Sequence, residues 1–242
     1  MRTIRIYQPS IFQNTDTIQL DKAASNHLLR VLRLKDQQTF KLFNGDGFEY
    51  TALLEVSGKK AIAHILSSIE PANESPLHID LFQGISKGDH MDMAIQKSVE
   101  LGIKSITPII CERTVVNLKG DRLEKKIAHW QAIAISACEQ SGRCFLPKVH
   151  AATSLAKSLR SDADCLQLVL DPLSNTKLHS VQTKTSKLQI LIGPEGGLTD
   201  NEIELAKADG FVGVNLGPRI LRTETATLAA ITSAQLLWGD FR

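Results

Sequence analysis

The segment LQILIGPEGG, residues 188–197, runs from an apolar stretch directly into a loop of glycine and proline. Two other segments have the same form: LQLVL at 166–170 precedes Asp-Pro, and FVGVNL at 211–216 precedes Gly-Pro. Short apolar runs of this kind are typical of strands that are buried on both faces in a parallel sheet. Amphipathic or apolar helical patterns alternate with them. We therefore predict an α/β fold for the C-terminal part of the chain.

The first 70 residues have a different pattern. TFKLF at 39–43 and FEYTALLEV at 48–56 flank Asn-Gly-Asp-Gly, which is a strong hairpin connection, and a third alternating run follows at 61–69. We predict a small β-barrel or sandwich with one helix. Residues 70–76 contain two prolines and no large apolar residue, so they are predicted to be a linker. The predicted domains are 1–71 and 72–242.

Composition excludes several classes of protein. The 242 residues are 43% hydrophobic and 22% charged, which argues against disorder. We find no run of 18 apolar residues and no signal-peptide pattern, so we expect a soluble, cytoplasmic protein without a membrane segment. The four cysteines include no C-x-x-C pair, and the histidines lack metal-ligand spacing, so no metal and no disulfide are expected.

A net charge of +2 excludes a protein that is basic throughout, but the excess lies in residues 1–70. In HLLRVLRLK at 27–35, basic side chains recur at steps of three and two residues. A short helix there would present Arg30 and Arg33 to phosphate groups. A solvated helix face without a ligand is the alternative.

The loops after the three apolar runs are candidates for a ligand site, because open α/β sheets bind ligands beyond the carboxyl ends of their strands. Glycine and proline bring main-chain groups close to a ligand. Such a pocket suits a neutral, flat group such as adenosine. Phosphate-binding glycine motifs are absent from the sequence. For any single loop, an ordinary strand-to-helix turn is the alternative.

The segment LGPRILRTETA at 216–226 places Arg219, Arg222 and Glu224 between an apolar run and an apolar helix. Charged side chains at such a junction are costly to bury unless they are paired or bind a ligand. The structural alternative is an Arg222–Glu224 pair with a threonine capping the helix.

Two segments of the chain, GPEGGLTDNEI at 193–203 and LGPRILRTETA at 216–226, closely resemble the SPOUT methyltransferases. Among these, the resemblance is to the bacterial 16S rRNA methyltransferases that modify uridine at ring nitrogen 3. It extends over nearly the whole chain and includes KGDHMDMAIQKSVELG at 87–102 and ACEQSGR at 137–143. The resemblance implies a PUA-like RNA-binding barrel, then a SPOUT parallel sheet with a deep trefoil knot. It also implies a homodimer that acts on 16S rRNA of the small ribosomal subunit.

The resemblance further implies S-adenosylmethionine as cofactor and assigns site residues. The expected cofactor contacts are Leu170, Gly193, Glu195, Gly197, Leu216, Gly217, Ile220 and Leu221. Lys87, Arg113 and Arg143 match positions expected to face RNA or a partner subunit, and with Arg30 and Arg33 they form the predicted RNA-binding set. For Arg143 the alternative is a structural role after a helix terminus.

Methylation of uracil at its ring nitrogen requires loss of the nitrogen-bound proton. We hypothesise that Arg222 stabilises the negative charge on the flanking carbonyl oxygens. Glu224 either orients Arg222 or accepts the proton. Two alternatives remain: a SPOUT ribose 2′-O-methyltransferase acting on tRNA or rRNA, and a non-catalytic RNA-binding factor in ribosome assembly.

Overall fold

The computed structural model describes residues 4–116 and 120–241. Its contacts separate into two compact units. The N-terminal unit comprises Met1–Glu74 and Cys138–Leu146, and the C-terminal unit comprises Ser75–Ala137 and Pro147–Arg242. The sequence predicted two continuous domains, so the inclusion of Cys138–Leu146 in the N-terminal unit was not foreseen.

The described residues of the N-terminal unit form a mixed five-stranded sheet in the order β1-β3-β4-β5-β2. Its strands are β1 (Arg5–Tyr7), β2 (Thr17–Gln19), β3 (Thr39–Phe43), β4 (Glu49–Ser57) and β5 (Lys60–Ile69). The predicted hairpin is confirmed, since β3 pairs antiparallel with β4 and Leu42 lies opposite Tyr50. Gly45 and Gly47 supply φ values of 97° and 96° in the turn, a region that favours glycine.

The predicted short helix is only partly correct. Helix α1 (Lys22–Asn26) continues into a π-helical turn over His27–Val31, so Arg33 lies beyond the helix. Arg33 adopts a φ of 54°, and the amide of Leu34 bonds the carbonyl of Leu28 at 3.0 Å. This turn of the chain returns Leu34 to the core, where Leu28 is also buried. The burial of both leucines therefore ends the helix before the second arginine.

In the C-terminal unit, the described strands form a seven-stranded sheet with only parallel pairs, which confirms the α/β class. The order is β12-β10-β11-β6-β7-β8, and β9 also pairs with β7. The strands are β6 (His78–Gly84), β7 (Ser105–Ile110), β8 (Lys148–Val149), β9 (Thr153–Ser154), β10 (Leu166–Leu170), β11 (Lys187–Ile192) and β12 (Val212–Val214). The three apolar runs are thus β10, β11 and β12. The trefoil knot stays a prediction.

The helices are α2 (Asp89–Glu100), α3 (Asp121–Ser141), α4 (Leu155–Ser158), α5 (Asp200–Ala208) and α6 (Thr223–Trp238). Helix α5 begins with a capping box, in which Thr199 and Glu202 bond each other's backbone amides. Helices α2 and α6 pack against each other. Across residues 4–116 and 120–241, none of these helices has both the length and the apolar character that a membrane crossing requires.

Candidate active site

A cavity of about 360 Å³ lies at the carboxyl ends of β10 and β11. Three stretches form most of its wall: residues 170–173 after β10, residues 192–198 at the end of β11, and the segment that leads into α6. The cavity is therefore located where parallel sheets usually bind ligands. Its wall combines main-chain groups with the apolar side chains of Leu170, Ile220 and Leu221.

Six of the eight predicted cofactor residues line this cavity, namely Leu170, Gly193, Glu195, Gly197, Ile220 and Leu221. The other two, Leu216 and Gly217, precede Ile220 but do not line it. Gly217 has a φ of 135° and its amide bonds Asn215 Oδ1 at 3.2 Å, so it turns the chain after β12. The structure thus brings six of the eight residues to one cavity, and binding by these residues stays a prediction.

The glycine-rich loop, defined here as residues 193–198, passes very close to the end of β6. A Cβ atom on Gly84 would lie 2.3 Å from the backbone nitrogen of Pro194 and 2.6 Å from the carbonyl carbon of Gly193. Only a residue without a Cβ permits this approach of two backbones. Gly84 therefore lets the glycine-rich loop, which lines the cavity, lie directly against the end of β6. No sequence pattern identified this residue.

A series of buried hydrogen bonds connects the glycine-rich loop to α6. The side-chain amide of Gln83 donates to Thr223 Oγ1 at 3.0 Å, and that hydroxyl donates to the carbonyl oxygen of Gly193 at 2.7 Å. Thr227 Oγ1 lies 2.6 Å from Gln83 Oε1. Gln83 is fully buried, and a buried amide is costly unless it is bonded. Gln83, a polar residue at a buried position near the end of β6, was the signal that could have indicated these hydrogen bonds.

Two residues predicted to contact RNA also contact the glycine-rich loop. The backbone amide of Lys87 donates to Glu195 Oε1 at 2.7 Å, which leaves the Lys87 side chain exposed. Arg113 lines the cavity, and its guanidinium donates to the carbonyl of Gly196 at 3.1 Å. Arg113 therefore stabilises the loop in this structure.

Arg222 and Glu224 lie beside the cavity rather than in its wall. Arg222 is exposed at the position that caps α6. Glu224 is 8% exposed, and its Oε1 lies 3.1 Å from Nδ1 of His90 in the first turn of α2. In the described part of the chain Glu224 thus contacts His90 and not Arg222. No histidine was predicted to have a role, because none has a partner at metal-ligand spacing, and the partner of His90 is remote in the chain.

Comparison with known proteins assigns the chain to a family. The model of an RNA methyltransferase domain matches residues 73–235, and that of an RNA methyltransferase PUA domain matches residues 20–66. Ribosomal RNA small subunit methyltransferase E of Buchnera aphidicola is 36% identical over 241 residues, which cover 99% of this chain and 98% of the relative. The chain belongs to the methyltransferase E family. This confirms the family that the motifs predicted.

Solved structures of the methyltransferase E family and its relatives share the whole fold. A Neisseria gonorrhoeae methyltransferase E bound to S-adenosylmethionine matches with a TM-score of 0.94 and 42% identity, covering 100% of both chains. A Legionella pneumophila protein in complex with the bound cofactor SAM matches with a TM-score of 0.95 and 41% identity, again over 100% of both.

In this member of the methyltransferase E family, Arg143 is buried, and its predicted contact with RNA needs correction. Only 3% of Arg143 is exposed, and its guanidinium donates two hydrogen bonds to Glu74, at 2.9 and 2.7 Å. The Arg143 carbonyl accepts a bond from Arg5 at 2.9 Å. These contacts join the segment Cys138–Leu146 to the rest of the N-terminal unit. We therefore assign Arg143 the structural role that was the alternative.

Two cysteines of this methyltransferase E, Cys111 and Cys138, are buried. Burial raises the pKa of the Cys111 and Cys138 thiols to about 12, so both are protonated at neutral pH. No group of three His, Cys, Asp or Glu side chains within residues 4–116 and 120–241 could hold a metal ion.

Proposed function

We propose that this chain transfers a methyl group from S-adenosylmethionine to ring nitrogen 3 of a specific uridine in 16S rRNA. The observation that carries the proposal is the cavity at the ends of β10 and β11, lined by the residues that the motifs assigned to the cofactor. Membership of the methyltransferase E family and the cofactor-bound neighbours support it.

The cavity fits the cofactor in size and chemistry. Its volume of about 360 Å³ is within the range of small-molecule sites. The main-chain groups of the glycine-rich loop would meet the polar edges of the adenosine, and Leu170, Ile220 and Leu221 would contact its faces. Leu216 and Gly217 would shape the loop that carries Ile220. When bound, S-adenosylmethionine supplies a methyl group on a positively charged sulfur.

The residues at the start of α6 provide the remaining chemistry. Arg222 is exposed beside the cavity, where its permanent charge and planar donors stabilise the uracil anion at the carbonyl oxygens. We assign the proton of ring nitrogen 3 to Glu224, the carboxylate of the same motif as Arg222, whose Oε2 makes no hydrogen bond among the described residues. Loss of this proton leaves the ring nitrogen as the nucleophile.

We further propose that the N-terminal unit binds the rRNA and that the protein acts in the cytoplasm as a homodimer. Arg30 and Arg33 are exposed and can contact phosphate groups. Leu236 of α6 is 58% exposed and Met93 of α2 is 45% exposed, and these two helices pack together. Exposed apolar side chains on such a pair support a dimer interface.

The test is methyl transfer to small ribosomal subunits from a strain that lacks this modification, followed by mass spectrometry of the nucleosides. We expect 3-methyluridine, in an amount that approaches one per subunit. Naked 16S rRNA serves as the second substrate and reports whether the assembled subunit is required. A 2′-O-methylated nucleoside would replace the proposal by a ribose methyltransferase. The absence of any product from either substrate would favour a non-catalytic assembly factor.

A further inference from the structure

Arg113 is the only positively charged side chain that the described residues contribute to the lining of the cavity. The other charged residues of the lining, Asp171, Glu195 and Asp200, are acidic. Lys207 contacts Asp171 at 3.3 Å but does not line the cavity. An anionic group of a ligand in this cavity would therefore find an opposite charge only at Arg113.

The protein uses only part of the Arg113 guanidinium. Its Nη1 donates to the carbonyl oxygens of Gly196, at 3.1 Å, and Leu198, at 3.4 Å. Arginine has further N–H donors on Nε and Nη2, and it keeps its charge in proteins. These two nitrogens make no hydrogen bond to the described residues, and Arg113 is exposed. The edge formed by Nε and Nη2 is therefore open to a ligand.

S-adenosylmethionine has one anionic group, the carboxylate of its amino-acid end, and two cationic groups, the sulfonium and the ammonium. A guanidinium edge matches a carboxylate, because two parallel hydrogen bonds can form between them. We propose that Arg113 binds this carboxylate while its Nη1 holds the glycine-rich loop. Arg113 then selects ligands that have a complete amino-acid end. This inference rests on the proposed function.

A phosphate group of the rRNA is the other anion that an exposed arginine can bind. The position of Arg113 favours the cofactor. Gly196 and Leu198, whose carbonyls accept its hydrogen bonds, both line the cavity, and so does Arg113 itself. The guanidinium is thus held at the cavity and not on a separate surface.

The experiment measures by calorimetry the affinity for two compounds. They are S-adenosylhomocysteine, which is the cofactor without its methyl group, and 5′-(3-aminopropylthio)-5′-deoxyadenosine. Both contain the adenosine, the thioether and the ammonium, but only the first contains the carboxylate. We expect the wild type to bind S-adenosylhomocysteine about tenfold more tightly, a ratio that corresponds to about 1.4 kcal/mol. Arg113→Ala and Arg113→Gln should bind the two compounds with similar affinity.

The comparison of two compounds separates carboxylate binding from support of the loop. Loss of the bonds to Gly196 and Leu198 would weaken both compounds alike, so only the ratio of the two affinities reports on the carboxylate. Arg113→Gln keeps an amide donor for the loop without the charge, and it decides the question if Arg113→Ala does not fold. The control is Arg219→Ala, which removes an exposed arginine outside the lining and should keep the wild-type ratio.

Two results would overturn this role of Arg113: a wild type that binds both compounds equally, or Arg113 variants that keep the wild-type ratio. If those variants also bind small subunits more weakly, Arg113 contacts an RNA phosphate instead. A wild type that binds neither these compounds nor S-adenosylmethionine would overturn the proposed function itself. The two failures are therefore distinguishable.

Discussion

Arg222 and Glu224 show how two neighbouring residues acquire different surroundings. Arg222 precedes the first turn of α6 and is exposed, whereas Glu224 is buried against α2. Their proximity in sequence suggested an ion pair as the structural alternative. The structure instead leaves Arg222 available to a substrate beside the cavity. The proposed role of each residue can therefore be tested by its own substitution.

For Arg222→Ala we expect the single-turnover rate to fall by about 10²–10³, which is the usual loss when one donor to a developing oxyanion is removed. The affinity for S-adenosylmethionine should not change, because Arg222 does not line the cavity. Arg219→Ala is the matched control, since Arg219 is another exposed arginine of the same loop. Equal rates for Arg222→Ala and the wild type would exclude Arg222 from the chemistry.

At the scale of elements, the glycine-rich loop is held by several parts of the C-terminal unit. The end of β6 passes beneath it at Gly84, α6 bonds it through Thr223, and Arg113 bonds it from the segment after β7. The capping box then starts α5 directly after the loop. A loop held in this way can present its main-chain groups to a ligand without a large loss of conformational entropy.

Gly84→Ala tests whether the close approach of β6 holds the glycine-rich loop in the shape that binds the cofactor. The added methyl group would meet backbone atoms of Pro194 and Gly193 that cannot move aside as a flexible side chain can. Overpacking of this kind costs roughly 1–3 kcal/mol, or about 5- to 150-fold in a dissociation constant if it falls on the loop. We expect weaker binding of S-adenosylmethionine, measured by calorimetry.

The control for Gly84→Ala is Gly213→Ala in β12. There the closest atom to an added Cβ is the far end of the Lys207 side chain, which can give way. This variant should bind the cofactor with nearly wild-type affinity. If Gly84→Ala also binds like the wild type, the loop does not form the cofactor site.

At the scale of the whole molecule, two units with different sheets carry the two proposed functions, RNA binding and methyl transfer. The cavity lies at the parallel sheet of the C-terminal unit, whereas the N-terminal unit has exposed arginines in and just after its π-helical turn. Part of the N-terminal unit, Cys138–Leu146, comes from the middle of the chain. Point substitutions are therefore better than truncation for separating the two functions.

The double substitution Arg30→Glu and Arg33→Glu should weaken binding to small subunits by about tenfold or more, since phosphate contacts dominate RNA affinity. Binding of S-adenosylmethionine should remain at the wild-type value. Lys59→Glu with Lys60→Glu is the charge-matched control; Lys59 lies in the turn between β4 and β5, and Lys60 begins β5. Filter binding at two salt concentrations measures both pairs. An equal loss in the two variants would show only a general charge effect.

The fold was largely predictable where it depends on patterns of residues that are close together in the sequence. The three apolar runs form β10, β11 and β12, and the segment around Asn-Gly-Asp-Gly forms the predicted hairpin of β3 and β4. The short strands β8 and β9 were missed, because two residues are too few to show a periodic pattern. The helix near Arg33 was overextended, since the turn there depends on burying Leu34.

The amino-acid sequence by itself determined the α/β class, the positions of the glycine-rich loop and the motifs of the family, because burial patterns and glycine content act over a few residues. Only the tertiary structure decided that Glu224 meets His90, that Gln83 supports Thr223 and that Arg143 is bound to Glu74. Each of these pairs joins residues far apart in the chain. Such contacts depend on how the elements pack, which a local pattern of residues does not encode.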